Sequence, residues 1–213
     1  MSSVLTCDPA QPSEEVIKSA VDALLAGEAV ILPTETQYGL ALRADRPDAP
    51  ERIDRIKKRI GGQTTALFLA RFEQAESFCK VSAKARLLAD KFLPGPLTLV
   101  LPGLEKQDKV ADGFGSLAGF GIRVSSAPLV AAVMSRLDFP VTATSANLSG
   151  RMTPTGIDEI KNDFGDMVSL YIDGGAASGR SRIPSTVAAV DNDVIILRHG
   201  AIGEAEIRKA LTG

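Results

Sequence analysis

One histidine, two cysteines and no apolar run approaching a membrane span mark this chain first by what it lacks. With His199 alone, histidine-based metal centres and the Ser–His–Asp arrangement of many hydrolases are disfavoured. Cys7 and Cys79 are far apart and have no histidine beside them, which argues against a zinc site and against a disulfide framework. A bilayer-crossing helix needs roughly 20 apolar residues, and no stretch comes near that. The opening "MSSVLTCDPAQ" has neither the basic start nor the apolar core of a signal peptide. The expectation is a soluble, cytoplasmic protein with no membrane contact. A net charge of -2 argues against a uniformly basic nucleic-acid binder, so any RNA contact needs a local patch. Gly-x-Ser-x-Gly and Gly-Lys-Ser/Thr are also absent, which removes the nucleophile elbow and the ordinary phosphate loop. "GFGSLAG" at 113–119 matches Gly-x-Gly-x-x-Ala only superficially, because polar "KQDKVAD" precedes it rather than an apolar strand.

What is present is a globular composition over 213 residues, 45% hydrophobic and 23% charged. Apolar periodicity predicts helices over 14–25, capped by Ser13, and over 48–57, 71–79, 82–92, 127–137, 153–164 and 203–211. Short apolar runs at 29–32, 38–44, 65–70, 96–102, 121–124, 140–144 and 168–173 read as strands. "TVAAVDNDVIILR" reads as a hairpin turning at Asp191–Asp193. Glycine-rich 103–121 is expected to be an irregular, mobile loop. Strands alternating with helices, and no linker, imply one α/β domain on a mixed sheet over 13–213, after a tail at 1–12.

Four stretches carry candidate chemistry. In "IKKRIGGQTT" (56–65), a continuous helix would set Lys57 and Arg59 roughly 160° apart, on opposite flanks. If the helix stops near Lys57 and the chain runs extended, they point the same way, and Gly61–Gly62 would favour that exit. A solvated helix end is the competing reading. In "TATSANLSG" (142–150), Ser145 and Asn147 are small uncharged groups able to hold phosphate oxygens or a hydrated metal; a plain turn would use the same residues. "LPTETQYGL" (32–40) is a strand running into a hydroxyl-rich corner. Arg123, Arg198 and Arg182 stand in strands or a loop among apolar neighbours, either at an edge or aimed at an anion in a cleft.

Together these segments resemble the YrdC-type threonylcarbamoyl-AMP synthases. The resemblance rests on "LPTETQYGLA", the Lys-x-Arg of "IKKR", "LPGPLTLVLP", "GIRV", "TSANLSG", "PSTV" and "ILRHGAI", in the family order. It reaches from about residue 13 to 203. It implies a YrdC-like domain, a twisted α/β fold with a mixed sheet and flanking helices around a concave basic cavity. The implied reaction joins L-threonine, bicarbonate and ATP into threonylcarbamoyl-AMP and pyrophosphate, for N6-threonylcarbamoyladenosine in tRNA.

By the same resemblance Lys57, Arg59, Ser145 and Asn147 form the catalytic and ATP-contacting set, joined on the nucleotide by Thr153 and Arg198. Thr34, Arg123 and Ser185 line the threonine pocket. Mg2+ is expected near Ser145 and Asn147, without an assured direct protein ligand. Downstream partners would be the threonylcarbamoyl transferase machinery, with tRNA or double-stranded RNA as a further contact. Where the family has proline after Lys-x-Arg this chain has Ile60, Gly61 and Gly62; Gln37 replaces a common valine, and Phe68 falls where longer members carry a histidine. Two other readings stay open: a paralogue that binds ATP or RNA without this activity, and an RNA-binding module built on Arg52, Arg55, Lys57, Lys58 and Arg59.

Overall fold

The computed structural model describes residues 2–61, 63–105, 108–115, 119–175 and 183–212. The first half runs β1 (Ser3–Thr6), α1 (Glu14–Leu25), β2 (Val30–Leu32), β3 (Gly39–Ala41), α2 (Ala49–Lys57), β4 (Leu67–Phe68), α3 (Ala83–Phe92) and β5 (Leu97–Leu101). The second half runs β6 (Phe120–Arg123), α4 (Pro128–Met134), β7 (Val141–Thr142), β8 (Thr144–Ser145), α5 (Ile157–Phe164), β9 (Leu170–Asp173), β10 (Thr186–Val190), β11 (Val194–Arg198) and α6 (Glu204–Thr212).

The strands divide between two sheets, both mixed: β1-β9-β2-β3-β8 and β11-β10-β5-β6-β4-β7. One stretch of chain belongs to both. Val141 and Thr142 pair with β4 in the larger sheet, and Thr144 and Ser145 pair with β3 in the smaller. Between them the Ala143 amide donates to the Ala66 carbonyl. The run expected as a single strand is therefore a staple between sheets, and a cavity opens beside it.

Period-two alternation sorts the faces. In the smaller sheet Val30, Leu32, Ala41, Leu170 and Ile172 pack under α1 and α4, while Ile31, Leu40 and Tyr171 enter the other core. In the larger sheet Leu97, Leu99, Leu101, Ile122, Ala188 and Val190 are buried in that second core. Their alternates Thr98, Val100, Gly121, Arg123 and Val187 line the cavity. Helix α1 forms as its sequence dictates: Ser13 Oγ accepts from the Val16 amide, Glu14 and Glu15 sit in the first turn, and Val16, Ile17, Ala20, Val21 and Leu24 form the buried stripe.

Four expectations change. Ser3–Thr6, read as tail, pairs in parallel with β9 as an edge strand. The helix expected at 71–79 is a 3₁₀ segment over Phe72–Ser77, held by Gln74 folding back on the Ala70 and Arg71 amides. The helix expected from Thr153 starts at Ile157, because Gly156 is extended. The described part of 103–121 is packed rather than loose: Val110 and Phe114 are buried, and the Ala111 amide bonds to the Ala44 carbonyl.

Leu99 is fully buried between the larger sheet and its helices. Leu99→Ala should cost about 2–5 kcal/mol in a denaturant-unfolding measurement; a loss under about 1 kcal/mol would show that the core does not sit there.

Candidate active site

The cavity encloses about 370 Å³, and its wall is built from corners of both sheets. Gly121 forms part of the floor. A Cβ there would stand 3.2 Å from Ala66 Cβ and 3.4 Å from Thr98 Cγ2, so a larger residue would fill the space a ligand needs. Thr34, Arg123, Ser145, Ser185 and Arg198 line the cavity directly. Lys57, Arg59, Asn147 and Thr153 reach it through residues that do. Arg182 lies outside the described residues.

The basic pair resolves the question of where α2 stops. Lys58, at φ 48° and ψ 46°, is left-handed and caps the helix. The glycine pair was expected to supply this exit; Lys58 supplies it instead, and Gly62 lies outside the described residues. A residue with a Cβ tolerates that conformation only at a cost of roughly 1–2 kcal/mol. Two contacts fix the exit: the Ser149 amide donates to the Lys57 carbonyl at 2.9 Å, and Arg59 Nε is ion-paired with Asp54 Oδ1.

Lys57 and Arg59 then diverge rather than gripping from one side. Lys57, 4% exposed, donates from Nζ to the Ser145 carbonyl and, at 3.4 Å, to Asn147 Oδ1. Arg59 Nη2 donates to the Gln63 carbonyl at 3.1 Å and to Thr65 Oγ1 at 2.9 Å, and Thr65 is a cavity residue. Ser145 Oγ also donates to Asn147 Oδ1. Thr153 Oγ1 sits 3.4 Å from Asn147 Oδ1 and 3.3 Å from Gln37 Oε1. Asn147 Oδ1 is thus the hub of the Lys57 corner. Burial, and then the nearby Arg59 charge, bring the Lys57 ammonium down to about 7.

At the other end the arginines are held by strand geometry. Arg123 ends β6 on its cavity face. Arg198 owes its direction to an irregularity: Val187 pairs with Arg198 and Ala188 with Ile196, so Leu197 is the extra residue of a bulge. Leu197 and Arg198 consequently both face the cavity, which successive residues of a regular strand do not. Arg198 Nη2 donates to the Ser185 carbonyl at 2.8 Å and to Ser185 Oγ at 3.0 Å, while Thr98 Oγ1 stands 2.9 Å from the same hydroxyl. Desolvation and then the Arg123 charge lower the Arg198 pKa. Thr34 Oγ1 bonds within its own turn, to the Gln37 carbonyl and to Thr36.

Several contributors were not singled out from sequence. Glu35 makes an ion pair with Arg123 at 2.9 Å, Thr36 Oγ1 accepts from Arg123 Nη2 at 2.8 Å, and Thr98 supplies a wall hydroxyl. The signal was an acid in an otherwise uncharged corner, "PTETQ", and a lone threonine inside apolar "PLTLVL". Phe68 also lines the wall, its ring centroid 5.4 Å from the Arg123 guanidinium carbon.

Comparison with known proteins places this geometry. The Sua5/YciO/YrdC family model, described as telomere recombination, matches residues 22–200. The chain belongs to that family. Threonylcarbamoyl-AMP synthase of Pyrococcus abyssi is 34% identical over 197 residues, covering 92% of this chain and 57% of that protein. The synthase of Bacillus subtilis is 31% identical, with 96% of this chain and 59% of that protein covered. This Sua5/YciO/YrdC member therefore spans a little under three fifths of those relatives. Crystalline P. abyssi Sua5 complexed with L-threonine superposes with a TM-score of 0.88 at 31% identity, over 99% of this chain and 61% of that one. Escherichia coli YciO superposes with a TM-score of 0.80 at 27% identity, over 97% of this chain and 99% of that one.

The depressed Lys57 pKa has a stability consequence. Between about 7 and 10.5 the unfolded state binds the proton that the folded state has lost, so stability rises with pH across that window. Compared with Lys57→Met, the wild type should gain up to about 1.4 kcal/mol per pH unit there. Parallel pH profiles of unfolding free energy would show that the ammonium is not desolvated.

Proposed function

We propose that the protein is an L-threonylcarbamoyladenylate synthase, making threonylcarbamoyl-AMP and pyrophosphate from L-threonine, bicarbonate and ATP. The observation that carries the reading is a cavity walled by Arg123 and Arg198, backed at its other end by Lys57 and Arg59, with no cysteine, histidine or acidic side chain among its described lining residues. One end offers Arg123 with Thr34 and Ser185, suited to an amino-acid carboxylate. The other offers Lys57, Arg59, Ser145 and Asn147, suited to a triphosphate, with Thr153 beside them, while Arg198, hydrogen-bonded to Ser185 at the first end, would meet the nucleotide from across the cavity. Relatives carrying the synthase name, and the threonine complex of P. abyssi Sua5, support the same assignment.

The chemistry balances with those groups alone in attendance. The threonine amine attacks the carbon of bicarbonate and water leaves, giving a carbamate. A carbamate oxygen attacks the α-phosphorus of ATP, the bond to the β-phosphate oxygen breaks, and pyrophosphate departs. Such a reaction needs alignment and neutralisation of phosphate charge more than covalent catalysis. Lys57 gains from this arrangement: an ammonium at about 7 without ligand is driven to the charged state by a polyphosphate beside it.

Among the described residues no cluster of three or more histidine, cysteine or acidic side chains could hold a metal. The neutral oxygens of Ser145 and Asn147 fit a hydrated Mg2+ that arrives with the triphosphate, and bound there it would neutralise phosphate charge. An RNA-binding module finds less support than the sequence offered. Of its basic cluster, Lys57 is buried, Arg59 is paired with Asp54, and Arg52 donates to the Gly27 carbonyl. Arg55 and Lys58 remain exposed. Transfer of the threonylcarbamoyl group to tRNA would then fall to partner transferases.

Lys57→Ala and Arg59→Ala should each lower threonine- and bicarbonate-dependent pyrophosphate release at least about 100-fold, with far-UV circular dichroism retained. Full activity in either variant would refute the assigned roles.

A further inference from the structure

Glu35 places a carboxylate where the proposed reaction has no use for one. It sits in the "TET" corner between Thr34 and Thr36, which both line the cavity, but is not itself part of the lining. Its Oε1 is 2.9 Å from Arg123 Nη2, and Ser125 Oγ donates to its Oε2 at 2.5 Å. The pair is deeply buried, with side-chain exposures of 8% for Arg123 and 15% for Glu35. Burial alone would raise the Glu35 carboxyl, but the Arg123 charge and the Ser125 hydroxyl outweigh it and hold it below the usual range.

The pair is also incomplete. Arg123 Nη2 donates to Thr36 Oγ1 and is ion-paired with Glu35 Oε1, while Arg123 Nε and Glu35 Oε1 are both buried without a hydrogen-bond partner. Charge is limited as well. The Glu35 carboxylate already stands against the Arg123 guanidinium, and Thr34, Thr36 and Ser185 in the wall are neutral. One ligand carboxylate can share Arg123; a second would be buried near Glu35 uncompensated.

We propose that Glu35 is a specificity-determining residue, holding Arg123 at the cavity wall and excluding, by its own buried charge, amino acids that carry a second carboxylate. The proposal rests on the reading of Arg123 as the anchor of an amino-acid substrate. Glu35 acts through Arg123 and through its field, not by touching the reacting atoms.

The test uses L-asparagine and L-aspartate, nearly the same shape but different in charge, as competitors of labelled L-threonine on the full chain. Wild type should prefer asparagine, and Glu35→Gln should reduce that preference about tenfold, the scale of one partly screened charge several ångströms away. Glu35→Asp, which keeps the charge, should retain the preference while binding threonine less tightly. A purely structural role would lower affinity for all three amino acids without moving the ratio. An unchanged asparagine-to-aspartate ratio in Glu35→Gln, with threonine still bound by wild type, overturns this proposal alone. No threonine binding by wild type overturns the substrate reading and this proposal with it. If Glu35→Gln unfolds, Glu35→Ala is read in the same way; if both unfold, Glu35 is a folding residue and the proposal falls.

Discussion

A single buried ammonium holds the candidate site together. Lys57 Nζ donates to the Ser145 carbonyl, and so joins the end of α2 to the strand that passes between the two sheets. That bond requires α2 to end where it does. The helix stops at Lys57, Lys58 takes a left-handed conformation, and Arg59 turns back to Asp54. The Ser149 amide closes the same corner from the other side, on the Lys57 carbonyl. Burying the ammonium is costly, and the cost appears as a lowered pKa, a state that a bound polyphosphate would reverse.

The rest of the cavity follows the same economy of charge. Apart from Arg123 and Arg198 the wall is uncharged, hydroxyls and one amide among small and apolar residues, and each cation is steered by a specific device: a helix stop for Lys57, a carboxylate for Arg123 and a strand bulge for Arg198. Uncharged walls leave those few cations undiluted, and a low-dielectric surrounding strengthens what they do to an anion. Glycine at 121 keeps the floor low enough for a ligand to reach them.

Much of this was legible in the sequence, for identifiable reasons. Ser13 and the apolar stripe behind it specify α1, and alternating residues specify the hairpin of β10 and β11, because local periodicity carries both. Arg123 and Arg198 stood out as charges in apolar company, and Ser145 and Asn147 as part of an acid-free run of small hydroxyl and amide side chains behind a strand. Other features depend on tertiary context. A bulge at Leu197 leaves no mark on the pattern, and the left-handed residue was expected among glycines but falls on a lysine fixed by ion pairs and a neighbouring loop. The division into two sheets turns on a break at Ala143 that an apolar run does not show. Glu35 was passed over because one acid in a turn is unremarkable until Arg123 is seen beside it.

The account stands most directly on product formation by the unaltered chain. Incubated with ATP, Mg2+, L-threonine and isotopically labelled bicarbonate, the protein should yield a threonylcarbamoyl adenylate that carries the label, with one pyrophosphate per product. None should form when threonine, bicarbonate or ATP is left out. Hydrolysis of ATP indifferent to threonine and bicarbonate, or binding of ATP without any labelled nucleotide, would contradict it.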